Sequence, residues 1–290
     1  MYSISVFLKK LTNFIKFPFF KKLVFIYLKS KNPLELSDLE FQTKFSNSYA
    51  LISELRSKKF QKIINRLESY IGIGYFGPKK YWEYPWVLAN LQLKKGMSIL
   101  DVGCGTSPIQ FLLSDLGCKV TGIDPYLNMK WHGINQKLNK RFNCDVKYHQ
   151  GSGESVSFKD NTFDRVICVS VIEHCRESKS FNGKYLPLNE IDHKLQQKML
   201  KEMIRVLKPG GLCVVTVDFF IPRNNLSLEY NINVSKLIES VKANMFGIKI
   251  NEPFPGEPNF NFISLIENSD IQIVNYRSLI QTSIGFTLKK

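Results

Sequence analysis

The run Ile99-Leu100-Asp101-Val102-Gly103-Cys104-Gly105-Thr106 limits what this chain can fold into more than any other feature. A hydrophobic strand leads into a glycine-rich turn, and the helical pattern Ile109–Leu116 follows. Glycines at 103 and 105 reach backbone conformations closed to other residues and leave room for a ligand against the main chain. Such a turn opens at the C-terminal end of a strand, where open α/β sheets bind ligands. A strand–helix turn that binds nothing has the same look, so the loop alone decides little.

The second element is Val120-Thr121-Gly122-Ile123-Asp124, a strand that ends in a carboxylate 19 positions after Gly105. A carboxylate there accepts hydrogen bonds from both hydroxyls of a ribose. A nicotinamide enzyme satisfies both elements, so the glycine spacing matters. The dinucleotide fingerprint G-x-G-x-x-G needs a third glycine for close helix–strand packing. Here the run is Gly103-Cys104-Gly105-Thr106-Ser107-Pro108, with proline in that place. The pattern points to a nucleoside cofactor without a pyrophosphate.

Strand candidates recur at Ser98–Val102, Lys119–Ile123, Asp145–His149, Phe163–Ser170 and Leu212–Val217. Helical patterns lie between them, the longest over Glu190–Leu207. Alternation of this kind predicts a parallel sheet with helices on both faces. Two further strands are expected at 271–276 and 284–288, and a helix over Ser37–Tyr70. Gly72, Gly74, Gly77 and Pro78 mark a boundary between a helical extension, residues 1–70, and the α/β domain, residues 71–290.

With these segments in order, the chain resembles the class I (Rossmann-like) S-adenosylmethionine-dependent methyltransferases. Ile99–Gly105 and Val120–Asp124 match the family's first two motifs. The run Gly151-Ser152-Gly153-Glu154 resembles the third. Ser170-Val171-Ile172-Glu173-His174 and Arg205-Val206-Leu207-Lys208-Pro209-Gly210-Gly211 are similar to the later ones. The resemblance covers roughly residues 80–220 and implies a seven-stranded mixed sheet, its last strand antiparallel, flanked by helices.

It also implies S-adenosyl-L-methionine as cofactor. Asp101, Gly103, Cys104 and Gly105 would surround the methionine part, Asp124 with Pro125 the ribose, and Ser152, Gly153 and Glu154 the adenine; Ser170 completes the set. Many relatives carry Asp where this chain has Ser152. A hydroxyl accepts more weakly than a carboxylate, and Glu154 is the substitute at hand.

Methyl transfer to a hydroxyl needs a general base as well as alignment. His174, after a strand end on the ligand side, is the first candidate and His193 the second; a purely structural turn role for His174 stays open. Glu190 and Asp192 read as helix caps. The segment Tyr81-Trp82-Glu83-Tyr84-Pro85-Trp86 reads as core packing of a preceding helix, with substrate stacking as the alternative. It is also similar to segments of bacterial methyltransferases linked to surface sugars and lipids.

Charge bears on partners. Residues 1–31 hold seven lysines and no acid, about half of the +15 excess. Residues 4–17 sort into an apolar and a basic face, whereas 19–31 sort poorly. The segment either touches an anionic membrane surface or packs on the domain. No run approaches the ~18 apolar residues of a membrane span, and no export signal is evident. Six cysteines without a C-x-x-C pair point to a reducing, cytoplasmic setting without disulfides or a zinc site. The expected acceptor is a small molecule, sugar or lipid, taking the methyl group at oxygen. An RNA methyltransferase is the rival, disfavoured because no RNA-binding signature is present. A non-catalytic binding protein of the same fold is another.

Overall fold

A computed structural model describes residues 18–40, 47–70, 77–127, 133–175, 192–221, 231–246, 267–276 and 279–290. The amphipathic segment 4–17 and Glu190 lie outside them. The N-terminal part gives helix α1 (Pro18–Lys31), strand β1 (Asn47–Tyr49), α2 (Ile52–Arg56), α3 (Lys58–Leu67) and α4 (Lys80–Asn90). The α/β alternation then runs β2 (Ser98–Val102), α5 (Pro108–Asp115), β3 (Lys119–Asp124), α6 (Ile134–Phe142), β4 (Lys147–Gln150), β5 (Phe163–Val169), α7 (His193–Val206) and β6 (Leu207–Phe220). The chain closes with α8 (Val234–Glu239), β7 (Asn244–Met245), β8 (Val274–Tyr276) and β9 (Leu279–Lys289).

Seven strands form one ordered sheet, β1-β9-β6-β5-β2-β3-β4, in which β9 runs antiparallel to β6. The pairs β5–β6, β2–β5, β2–β3 and β3–β4 are parallel, as the alternation requires. The short strands β7 and β8 also pair with β9, which brings the described sheet to nine strands. Sheet alternation splits the core in two. Leu100, Val102, Val166, Cys168, Cys213 and Val215 face α7 and α8, while Ile99, Ile167 and Val214 face α3, α4 and α5.

The continuous helix expected over Ser37–Tyr70 is not formed. A single 3-10 turn spans Leu36–Leu39, where Glu35 and Asp38 cap each other instead of a helix starting at Ser37. Then Asn47–Tyr49 leaves the helical pattern to pair with Phe286, Gly285 and Ile284 of β9. Helix begins again only at Ile52 and Lys58, the latter capped by the Ser57 hydroxyl. Local sequence favours helix here, but β9 offers an open edge, and its unpaired backbone groups recruit the segment. The sheet therefore crosses the boundary expected at residue 70.

Helix α1 docks on this framework. Phe25 and Leu28 are buried, with the Phe25 ring 5.3 Å from Tyr70 and 4.8 Å from Phe142. Asp115, at the end of α5, receives Lys29 at 2.6 Å, Arg66 at 2.7 Å and the Tyr70 hydroxyl. The opposite side of α1 leaves Leu23, Ile26 and Tyr27 exposed, 45%, 51% and 42% respectively, beside exposed Lys22. No helix of the described residues is long and apolar enough to cross a membrane.

Candidate active site

Strand β2 delivers Asp101 and Val102 into the glycine turn at the C-terminal edge of the sheet. Gly103 and Gly105 both take positive φ, 73° and 45°. At Gly103 a Cβ would also lie 2.5 Å from the Val171 side chain, so backbone and space both demand glycine. The amides of Gly103 and Cys104 donate to the Ile123 carbonyl at 2.8 and 3.0 Å, which folds the turn over the end of β3. Cys104 points inward: its sulfur lies where a Cβ on Gly122 would be, 2.7 Å away, and burial raises its thiol pKa. Only its backbone is offered to a ligand. Asn135 on α6 holds the Gly105 carbonyl at 3.0 Å, a support that sequence reasoning missed.

Two carboxylates sit at this edge. Asp124 accepts the amide of Gly105 at 3.0 Å and that of Tyr126 at 2.8 Å, one on each oxygen. Asp101 is 3% exposed, and its Oδ2 has no hydrogen-bond partner. Burial, and then the nearby charge of Asp124, push its carboxyl up to about 8. A buried acceptor left unpaired costs about 1–3 kcal/mol, so this site is built to receive a donor. Beside it lies a cavity of about 290 Å³, walled by the turn, by Val169–Val171 at the C-terminal end of β5, and by Lys80 and Tyr84 of α4.

Residues 100–215 match the family model of a methyltransferase domain. Those residues form a methyltransferase domain, and the motifs that resemble the class I, S-adenosylmethionine-dependent enzymes fall in the same stretch. It is 32% identical over 160 residues to the demethylmenaquinone methyltransferase of Staphylococcus carnosus, 54% of this chain and 57% of that one. It is 28% identical over 129 residues to a sterol 4-C-methyltransferase of Caenorhabditis elegans, 44% of this chain and 33% of that one. Identity to the human mitochondrial ubiquinone biosynthesis O-methyltransferase is 30% over 148 residues, 50% of this chain and 34% of that one. The chain thus spans between a third and three fifths of the length of these relatives.

The residues around the cavity fit S-adenosylmethionine. The unpaired Asp101 Oδ2 suits an ammonium group, and the cavity lined by Gly103 and Gly105 suits a chain lying against the backbone. The cavity brings together Asp101, Gly103, Cys104, Gly105 and Ser170. Asp124, Pro125 and the 152–154 loop lie outside its lining, at the ends of β3 and β4. They remain tied to it, because the Gly151 amide donates to the Asp124 carbonyl at 3.4 Å. Gly153 has Met199 and Val102 packed where a Cβ would stand, and the Ser152 hydroxyl donates to Glu154. His174 is exposed at the end of a 3-10 turn, Ile172–His174, directly after the cavity wall. His193 is exposed at the start of α7 and lines a second cavity with Gln196, Asn233 and Lys236.

One wall was not read from the sequence. Glu83, fully buried, accepts the hydroxyls of Ser170 at 2.7 Å and Ser283 at 2.8 Å and pairs with Lys80 at 2.6 Å. Burial alone would push its carboxyl up, but the charges of Lys80 and Lys79 outweigh this and hold it below the usual range. Lys79 pairs with Asp218 of β6, whose amide donates to buried Glu173. Ser170 is held between Glu83 and Asp218 with φ of 51°. Trp82 and Trp86 stack at 5.4 Å inside the core, as the packing reading of this helix expects, yet Lys80 and Tyr84 reach the cavity. The signal was present: a glutamate within an aromatic run, three residues after a lysine.

Proposed function

We propose that this chain moves the methyl group of S-adenosylmethionine to an oxygen of a small lipophilic acceptor, working at an anionic membrane surface. The cavity beside the glycine turn, with the unpaired Asp101 Oδ2 in its wall, carries the reading. Asp101 receives the ammonium of the methionine part. Asp124 holds the ribose hydroxyls with the lone pairs that its two amide bonds leave free. The cofactor brings a methyl group already activated on a sulfonium, so the chain's task is alignment and exclusion of water. His174 takes the proton of the acceptor hydroxyl. The sterol and quinone enzymes that the chain resembles support a lipophilic acceptor, and one of them is named an O-methyltransferase.

Calorimetry is expected to find binding of S-adenosylmethionine and S-adenosylhomocysteine and none of NAD. Labelled methyl is expected to enter the lipid fraction of a cell extract as an alkali-stable ether. Asp124→Ala should weaken cofactor binding by roughly 1.5–3 kcal/mol, the range for hydrogen bonds to a charged group. NAD binding without S-adenosylmethionine binding would overturn the reading.

The membrane part rests on α1. Its buried side is Phe25 and Leu28, and the side turned outward carries Leu23, Ile26 and Tyr27 with Lys22. An exposed apolar strip in a segment with seven lysines and no acid suits an anionic lipid surface. Each lysine near such a surface contributes about 1 kcal/mol, screened by salt. Removal of residues 1–31 is expected to abolish co-sedimentation with anionic liposomes while cofactor affinity stays intact. Full-length protein that ignores such liposomes at low salt removes this part.

A further inference from the structure

We infer that α6, the helix that follows β3 and Asp124, forms one face with α1, and that this joint face is what lies on an anionic lipid bilayer. The inference rests on the proposed membrane contact. It adds a second element, inside the methyltransferase domain itself, and with it the orientation of that domain.

The first observation is where apolar surface is left uncovered. Among the described residues six large hydrophobic side chains are exposed. Five of them are Leu23, Ile26 and Tyr27 of α1, with Tyr126 and Ile134 at the two ends of the connection from β3 to α6. Single exposed hydrophobics are ordinary, whereas a group of them marks a binding surface. The two helices belong to one layer. Phe25 and Phe142 meet with ring centres 4.8 Å apart, and Leu138 is buried in the same core cluster.

The second observation is charge. The chain has no acid from Pro18 to Lys31, and none again from Pro125 to Cys144. Helix α6 carries Lys137, Lys140 and Arg141 within nine residues. On a helical wheel these three and Ile134 fall within about a third of the circumference, away from buried Asn135, Leu138 and Phe142. Lys137 and Lys140 are exposed, and Asp115, the acid at the root of α1, is taken up by Lys29 and Arg66. Exposed Lys22 and Lys31 bracket the apolar strip of α1. That pattern sets ammonium groups at headgroup level while apolar tips enter the acyl boundary.

The chemistry selects lipid over other partners. Protein interfaces are depleted in lysine, and a second copy would bring the same cations face to face. Nucleic-acid bases stack on aromatic rings, but Leu23, Ile26 and Ile134 are aliphatic and suit a hydrocarbon boundary. Tyr126 also fixes the orientation. Its amide donates to the Asp124 carboxylate, so the face runs up to the ligand edge of the sheet. That edge thus stands at the lipid from which a lipophilic acceptor is drawn.

The test is co-sedimentation of the full chain, at low salt, with vesicles of equal parts phosphatidylglycerol and phosphatidylcholine. Wild-type protein is expected to bind them and to ignore vesicles of phosphatidylcholine alone. Lys137→Gln/Lys140→Gln should bind roughly 30-fold more weakly, the worth of two lysines at such a surface, and Lys137→Arg/Lys140→Arg should bind as wild type does. The same charge change on α7, Lys194→Gln/Lys198→Gln, lies across the sheet and should alter binding by less than about twofold. Wild-type binding that the α6 pair does not weaken, or that the α7 pair weakens as much, overturns the inference and leaves the α1 contact standing. Full-length protein that ignores the anionic vesicles overturns both. A dimer in sedimentation that Ile26→Ser/Ile134→Ser makes monomeric gives the face to a second copy and overturns the inference too. So does an α6 pair that governs RNA binding and not vesicle binding.

Discussion

Protein that begins at residue 71 is expected to show no cooperative thermal unfolding, whereas protein that begins at residue 32 unfolds cooperatively with a lowered Tm. The larger truncation removes β1 from the edge of β9. It also removes Tyr49, Phe60, Ile63, Leu67 and Tyr70, none more than 2% exposed. Each such side chain contributes about 1.5–3 kcal/mol by burial, and a native domain keeps only about 5–15 kcal/mol of net stability. Their loss would uncover Trp82 and Phe111 in the layer they complete. The smaller truncation costs Phe25, Leu28 and the Lys29–Asp115 pair, while Arg66 and Tyr70 still hold Asp115. Circular dichroism melts of the two truncated proteins decide the matter. A 71–290 protein that melts cooperatively near the full-length temperature would show that the N-terminal segment is an appendage.

Asp101→Asn is expected to make the free protein more heat-stable at pH 7 and to weaken cofactor binding by roughly 10- to 100-fold, through loss of a charge-assisted hydrogen bond. The Asp101 carboxyl is raised from 3.8 to about 8 in the fold. A raised carboxyl in the native state means that the unfolded chain gives up its proton first. Stability is therefore lost as pH climbs from about 4 to about 8 and levels off above. At pH 7 the linkage cost is roughly 4 kcal/mol, and an amide does not carry it. The gain in Tm should be several degrees at pH 7 and shrink toward pH 4.

Binding has the opposite sign. The ammonium of the cofactor favours the ionised carboxyl, so binding below pH 8 releases a proton. Wild-type affinity should rise about tenfold per pH unit between pH 6 and pH 8, and that of Asp101→Asn should stay flat. Calorimetry in buffers of different ionisation enthalpy measures the released proton directly. A wild-type affinity that does not change over this range would mean that Asp101 does not meet the ammonium group.

The glycine turn, Asp124 and the alternation of strands with helices that makes the sheet parallel were legible because each is local. A strand that ends in glycines, or in a carboxylate, announces its geometry within a few residues, and Gly103 meets that expectation in both φ and space. The inward direction of Cys104 was not legible, since it depends on Gly122 of the neighbouring strand leaving room for the sulfur. His193 looked like a site residue in the sequence, yet the described fold puts it on a different cavity from the glycine turn.

What the sequence by itself determined is the sheet and its ligand edge, because period-two hydrophobicity and turn chemistry act over short distances. Tertiary structure decided the rest. Asn47–Tyr49 became a strand only because β9 had an edge to fill. Glu83, set in an aromatic helix, became the support of the cavity wall only because Lys80, Ser170 and Ser283, up to 200 residues away, converge on it. A buried charge is stable only where its partners are delivered, and that delivery belongs to the whole fold, not to any one segment.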